Sequence, residues 1–149
     1  MFNLAVILRE SATADPDKPL ALSNGVPVTY GHMDAMSDSV AEGLVERGVQ
    51  PGQAVGVQLP NVPEFLAAYF GILKAGAVAV PLNVLLKAPE VAFCLARVRA
   101  RALITWGAGV SGGGQGCGRS GRARTLRRGY PDRGVRDPVP RADGSRTGP

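Results

Sequence analysis

The sequence predicts an α/β fold with a short parallel sheet flanked by helices, and three observations predict it. From Ala54 onward, short apolar runs alternate with segments of helical length in the order strand, helix, strand, helix, strand. Connections that long are what parallel neighbours need, because a tight turn joins only antiparallel strands. The run "AVAVPLN" shows no alternation of apolar and polar residues, as expected for a strand covered on both faces.

Each element has its own signal. Residues 2–13, "FNLAVILRESAT", form a short helix stopped by the prolines of "ADPDKP". "LALS" and "VPVT" flank Asn24-Gly25, the pair that most favours a two-residue hairpin turn. Thr29 stands at a helix N-cap position. The segment after it sets Met33, Met36, Val40, Leu44 and Val45 on one face, with Asp34, Asp38, Glu42 and Glu46 turned to solvent. Gly48 closes that helix, "VQPGQ" is a turn and "AVGVQLP" a strand.

Residues 63–75, "PEFLAAYFGILKA", carry the most information. Pro63 and Glu64 suit a helix start, and Lys74 suits its negative end. Phe65 to Leu73 contain no charge, so the helix is expected to be covered all round, and Ala67, Ala68 and Gly71 leave room for another backbone. Gly76 stops it before "AVAVPLN". "APEVAFCLARVRA" is a further helix with Val91, Cys94, Leu95 and Val98 on one face, and "ALITW" is a last apolar strand.

Composition divides the chain at Trp106. Residues 1–106 have a net charge of −1, whereas residues 107–149 contain nine Arg, three Asp, no Lys and no Glu. The basic balance of the whole chain belongs to the second piece alone. Cys94 lies in an apolar run and reads as an inert thiol. Cys117 lies among glycines, and neither cysteine has a partner at metal or redox-motif spacing. The start "MFNLAVILRE" has no basic n-region, and no stretch approaches the ~20 apolar residues of a membrane span. A cytoplasmic protein with no membrane span is the expectation.

Several short motifs then occur in order. They are Thr29-Tyr30, the turn from Gly48 to Gln53, Leu59-Pro60-Asn61, Pro63-Glu64-Phe65, Leu73 to Ala77, and Pro81-Leu82-Asn83. Each is weak alone, but together residues 3–106 resemble the N-terminal part of the acyl-adenylate-forming (AMP-binding) enzymes, most closely the fatty acid–CoA ligases. His32 stands where the family usually has a capping Glu, Gln53 where it has Asp, and "ARVRAR" where it is more acidic.

The resemblance implies that the parent activity joins a fatty acid to coenzyme A through an acyl-adenylate, using ATP and magnesium. The phosphate loop, magnesium ligand, ribose-binding Asp and late Lys of that chemistry lie downstream of the matched region. The expectation is therefore a partial AMP-binding domain at residues 1–106 that forms an incomplete subdomain, inactive alone. No catalytic, cofactor-binding or metal residue is assigned, and no cofactor is expected in this chain.

Residues 107–149 are expected to be a disordered, Gly/Arg/Pro-rich tail. "GVSGGGQGCGRSG" lacks a Lys and a following helix, so it does not read as a phosphate loop. Nine arginines suit nucleic acid, but Tyr130 is the tail's only aromatic, and stacking is what adds grip to charge. The segment also lacks Asn, Ile, Phe, Met and His, as out-of-frame translation of GC-rich codons would. The expectation is then a truncated, pseudogene-like ligase. A non-catalytic module that self-associates or docks on a full-length ligase through the apolar helix 63–75 is the other class of reading.

Overall fold

The computed structural model describes residues 3–106 and the backbone of a strand at 124–126. Helix α1 (Ala5–Ala14) begins where Asn3 Oδ1 accepts the Ala5 N–H at 2.9 Å. Strands β1 (Pro19–Ser23) and β2 (Val26–Thr29) then pair antiparallel. Asn24 and Gly25 between them have φ of 50° and 80°, the two left-handed residues that a type I′ turn requires.

Helix α2 (Tyr30–Glu46) starts at Thr29, whose Oγ1 accepts the His32 N–H at 3.2 Å. Gly48, at φ 77°, ends it in a Schellman turn in which Val49 N–H reaches Leu44 C=O at 3.1 Å. Leu44 and Val49 are both buried, which supplies the hydrophobic contact that accompanies such a turn. In the following turn, Gln53 Oε1 accepts the Gln50 N–H at 3.0 Å, so glutamine serves locally where the family has Asp.

Strand β3 (Ala54–Gln58), helix α3 (Pro63–Lys74), strand β4 (Val78–Pro81), helix α4 (Ala88–Arg97) and strand β5 (Ala102–Thr105) complete the predicted alternation. The sheet order is β4-β3-β5-β6, with β3 parallel to both β4 and β5. The chain moves from β3 to β4 and then back across β3 to β5. Right-handed crossovers in opposite directions place their helices on opposite faces. Accordingly, Ala68 and Ile72 of α3 pack in one cluster with Val55 and Val57, while Leu95 of α4 lies against Gly56 on the other face.

Two expectations need correction. First, β4 is an edge strand with Val78 half exposed, and the strand covered on both faces is β3, whose Val55 and Val57 are fully buried. A non-alternating run thus marked a hydrophobic edge as well as a centre. Second, Val45 is exposed, and Ser37 takes a buried place on the inner face of α2. A small hydroxyl fits there because α3 comes too close for a larger side chain, and Ser37 Oγ donates to Asp34 C=O at 2.7 Å.

Helix 63–75 is buried or half-buried along its whole length, as its uncharged stretch predicts. One side packs on α2 and the sheet. The other, through Ala67, Leu66 and Phe70, packs on Leu8, Met33, Leu20 and Val28 of α1, α2 and the hairpin. Exposed large apolar side chains lie elsewhere, among them Leu4, Val6 and Ile7 about α1, Leu22 and Val26 in the hairpin, Val84 and Leu85 before α4, and Phe93 and Val98 in and after it.

Strand β6 (Arg124–Leu126) lies antiparallel against β5, with Leu103 opposite Leu126. The sequence reading placed no strand in this segment. The glycine-rich "GVSGGGQGCGRSG", Cys117 and Tyr130 lie outside the described residues.

Helices α2 and α3 meet at Gly71. A Cβ there would fall 2.6 Å from Val40 Cβ and Cγ1 and 2.8 Å from Ser37 C=O. Since one of those atoms is backbone, the helices would have to separate. Gly71→Ala should cost about 1–3 kcal/mol despite alanine's better helix propensity. Chemical unfolding followed by circular dichroism would show this, and an unchanged midpoint would mean the crossing is loose.

Candidate functional site

In open parallel sheets, ligands gather beyond the carboxyl ends of the strands, at the point where connections diverge to opposite faces. Here that point is the end of β3. Two motifs far apart in sequence meet at this edge. Leu59-Pro60-Asn61 leaves β3, and Pro81-Leu82-Asn83 leaves β4, with Leu82 N–H donating to Val57 C=O at 2.8 Å.

Gln58, the last residue of β3, ties that strand to the loop after β4. Its Nε2 donates to Asn83 C=O at 3.1 Å and to Leu86 C=O at 3.0 Å. Asn83 Oδ1 in turn accepts the Leu85 N–H at 2.9 Å, which shapes the descent into α4. Glu90 then receives the Lys87 N–H at 2.8 Å and closes half of a capping box. Thr105 finishes β5 on the same edge, where it is paired in register with Gln58. Among the described residues the edge is a braced platform of amides and prolines, and the Glu90 carboxylate beside it is committed to the Lys87 N–H.

Sequence reasoning missed the most concentrated charge in the fold. Lys74, whose side chain is 4% exposed, points its ammonium at Asp34 Oδ1 (2.6 Å), Asp38 Oδ1 (2.7 Å) and Asp34 C=O (3.0 Å). Three protons meet three acceptors, so the buried cation is fully satisfied. Asp34 and Asp38 are therefore not simply a solvent-facing row, and only Glu42 and Glu46 beyond them are fully exposed. The available signal was the spacing of Asp34 and Asp38, one helical turn apart, combined with a lone lysine ending an apolar helix. Arg9, on α1, adds a looser contact of 3.6 Å to Asp38 and is itself largely exposed, so it contributes little.

Depressions beside Lys74 follow from these helix junctions. One of about 120 Å³ is lined by Asn3, Ala5, Val6, Arg9 and Lys74. Both the cation and Asn3, whose Nδ2 donates to Leu73 C=O at 2.7 Å, are already committed to protein partners. Among the described residues no cluster of three or more His, Cys, Asp or Glu is placed to hold a metal ion. His32 is exposed and only its backbone N–H is engaged, while Cys94 is a half-buried free thiol. No helix among the described residues is long and apolar enough to cross a membrane.

Comparison with known proteins gives a consistent picture. The family model described as "AMP-binding enzyme" matches residues 8–141. Long-chain-fatty-acid–CoA ligase FadD13 of Mycobacterium tuberculosis is 39% identical over 97 residues, which is 64% of this chain and 19% of that protein. Long-chain fatty acid transport protein 1 of Rattus norvegicus is also 39% identical, over 104 residues, covering 68% of this chain and 16% of its own length. The crystallised N-terminal domain of FACL13 from Mycobacterium tuberculosis superposes with a TM-score of 0.65 at 36% identity, over 69% of this chain and 27% of the domain. The chain thus spans under a fifth of the curated relatives it matches.

The buried lysine yields a stability test. Lys74→Met should cost about 2–3 kcal/mol, below the full range for a buried pair because Asp38 is 45% exposed. Adding Asp34→Asn and Asp38→Asn should restore most of it, because no uncompensated charge then remains. Urea unfolding of the single and triple variants measures both effects, and a triple variant no better than the single would contradict the account.

Proposed function

The chain belongs to the AMP-binding enzyme family, and from that premise we propose that residues 3–106 are the N-terminal α/β layer of a fatty acid–CoA ligase. The layer serves as scaffold to the adenylation site and contributes no reacting group. The observation that supports this most directly is the carboxyl edge, where Gln58 at the end of β3 braces the loop that bears Asn83. A platform of that kind orients neighbouring loops, and its own side chains are occupied in doing so. The fatty-acid branch is favoured by the similarity to FadD13.

By this reading the 149-residue chain forms no acyl-adenylate. Adenylation stabilises a pentavalent phosphorus with cations and amide donors that converge on the triphosphate. The chain's lysines are Lys18, Lys74 and Lys87. Lys74 is enclosed by its two aspartates, and Lys87 sits at the start of α4 in no glycine-rich loop. None of the three stands in a Ser/Thr/Gly-rich segment of the kind the chemistry uses.

For residues 107–149 we propose translation in a shifted frame. Support comes from the compositional break after Trp106 and from relatives that match only 97 to 104 residues. The family match to residue 141 weighs on the other side. Translating the gene in its other two frames decides the matter: one of them should resume the family pattern with a phosphate loop, and failure of both refutes the shift.

ATP–pyrophosphate exchange tests the central reading. With a long-chain fatty acid, magnesium and ATP, the purified chain should exchange no label above a protein-free blank. Exchange that scales with protein and requires the fatty acid would overturn the scaffold assignment.

A further inference from the structure

The outer helices carry two charged surfaces of opposite sign that the scaffold role leaves unused. On the α2–α3 side, Glu42, Val45 and Glu46 are exposed, Val45 by 56%. Positions 42 and 46 are one helical turn apart, so both carboxylates lie on one stripe of α2. Beside it the ends of α2 and α3 leave a shallow groove of about 360 Å³, lined by Ala41, Glu42, Val45, Glu46, Lys74 and Ala75. The one cation in that lining, Lys74, is already committed to Asp34 and Asp38. Neither glutamate forms an ion pair among the described residues, and Arg47, next in the chain, donates to Gly43 C=O. The groove thus combines alanines and a valine with two unpaired carboxylates.

Helix α4 carries the complementary set. Phe93 is 64% exposed, and Arg97, one turn later on the same stripe, is exposed as well. Arg99 follows just past the helix end and is also exposed. Neither arginine forms an ion pair among the described residues. The acidic residue of α4, Glu90, sits at the other end of the helix and is bonded to Lys87 N–H. Here an aromatic ring stands beside cations, whereas on α2 small apolar groups stand beside carboxylates. Helix α3 covers one face of the sheet and α4 the other, so the two surfaces of one copy cannot meet.

We propose that the occupant of the α2–α3 groove is a second copy of this chain, which seats Phe93 against Ala41, Val45 and Ala75 and sets Arg97 and Arg99 against Glu42 and Glu46. The two stripes match in sign and in scale. The carboxylates stand about 6 Å apart along α2, four residues at the helical rise, a span that two arginines so close in the chain can cover. Opposite charges fix the orientation, and the ring supplies the buried anchor between them. Because the contacting surfaces differ and lie on opposite faces, the contact is heterologous. Each copy that docks leaves one groove and one arginine stripe open, so assembly continues past the dimer. The contact involves neither the carboxyl edge nor its loops, and it is independent of whether the chain adenylates anything.

Sedimentation velocity of the full chain over a range of concentrations tests it. Species larger than a dimer are expected at low salt, with return to monomer at high salt. Glu42→Gln with Glu46→Gln, or Arg97→Gln with Arg99→Gln, should each weaken association about tenfold, the effect of two partly exposed charge pairs. Mixed in equal amounts, the two double variants retain one intact groove and one intact arginine stripe between them. They should then form a one-to-one dimer and nothing larger. Phe93→Ser should weaken association without changing its salt dependence. Circular dichroism checks that each variant keeps the fold, and because the three sets of substitutions lie on two separate helices, the loss of one leaves the others decisive. A monomer at every concentration, assembly that stops at the dimer, assembly indifferent to salt, a mixture that stays monomeric, or an arginine variant that associates like the unaltered chain would each overturn the proposal.

Discussion

The close crossing of α2 and α3 is the constraint on which the rest of this structure depends. At Gly71 the two helices approach until Val40 and the Ser37 carbonyl occupy the space of a side chain. At that distance the shared face admits only small groups, which is why Ala67, Ala68 and Ser37 are buried there and why a hydroxyl is tolerated in the core. One turn further on, Lys74 is enclosed by Asp34 and Asp38. Packing sets the separation of the helices, and the ion network sets their relative register along the axis. A buried cation of this sort adds little net stability over an apolar substitute, but it penalises every register that leaves it unpaired.

From that fixed pair the sheet follows. Helix α3 connects β3 to β4, so its position on α2 determines where β4 begins, and the Gly76 turn, at φ 71°, redirects the chain with Ala77 N–H bonded to Ile72 C=O at 3.0 Å. Helix α4 returns over the opposite face. Gly56 in β3 permits this, since a Cβ there would lie 2.6 Å from Leu95 Cδ2. Gly56 thus lets α4 cover the face of the short sheet opposite α3. The reversal of direction at β3 opens the carboxyl edge, and Gln58 ties β3 to the loop after β4 there.

The two ends of the sheet differ in chemistry for topological reasons. At the carboxyl end, Gln58 and Asn83 satisfy backbone groups of the loop after β4 and leave a braced rim. At the amino end, the chain arrives from helix C-termini, where cations are favoured by the exposed carbonyls of the last turn. Arg47 and Arg97 are both at such positions. Parallel strands collect these termini at a single edge, so a preference that is local to each helix becomes a shared patch.

Most elements were legible in the sequence because their signals are short-ranged. Asn24-Gly25 forces a left-handed pair, Thr29 offers an oxygen to the N–H three residues on, and Gly48 and Gly76 stop helices by adopting angles other residues resist. The motifs from Thr29 to Asn83 likewise disclosed kinship, since each is read within a few residues. What the sequence did not disclose lies between residues far apart. Lys74 finds Asp34 across 40 positions, Gln58 finds Leu86 across 28, and Val45 loses a place in the core because α3 leaves room only for the face that carries Ser37. Periodicity states that a helix has an apolar face, but the width of that face, and which polar group crosses it, is decided by the distance to its neighbour. That distance is a property of the packed whole.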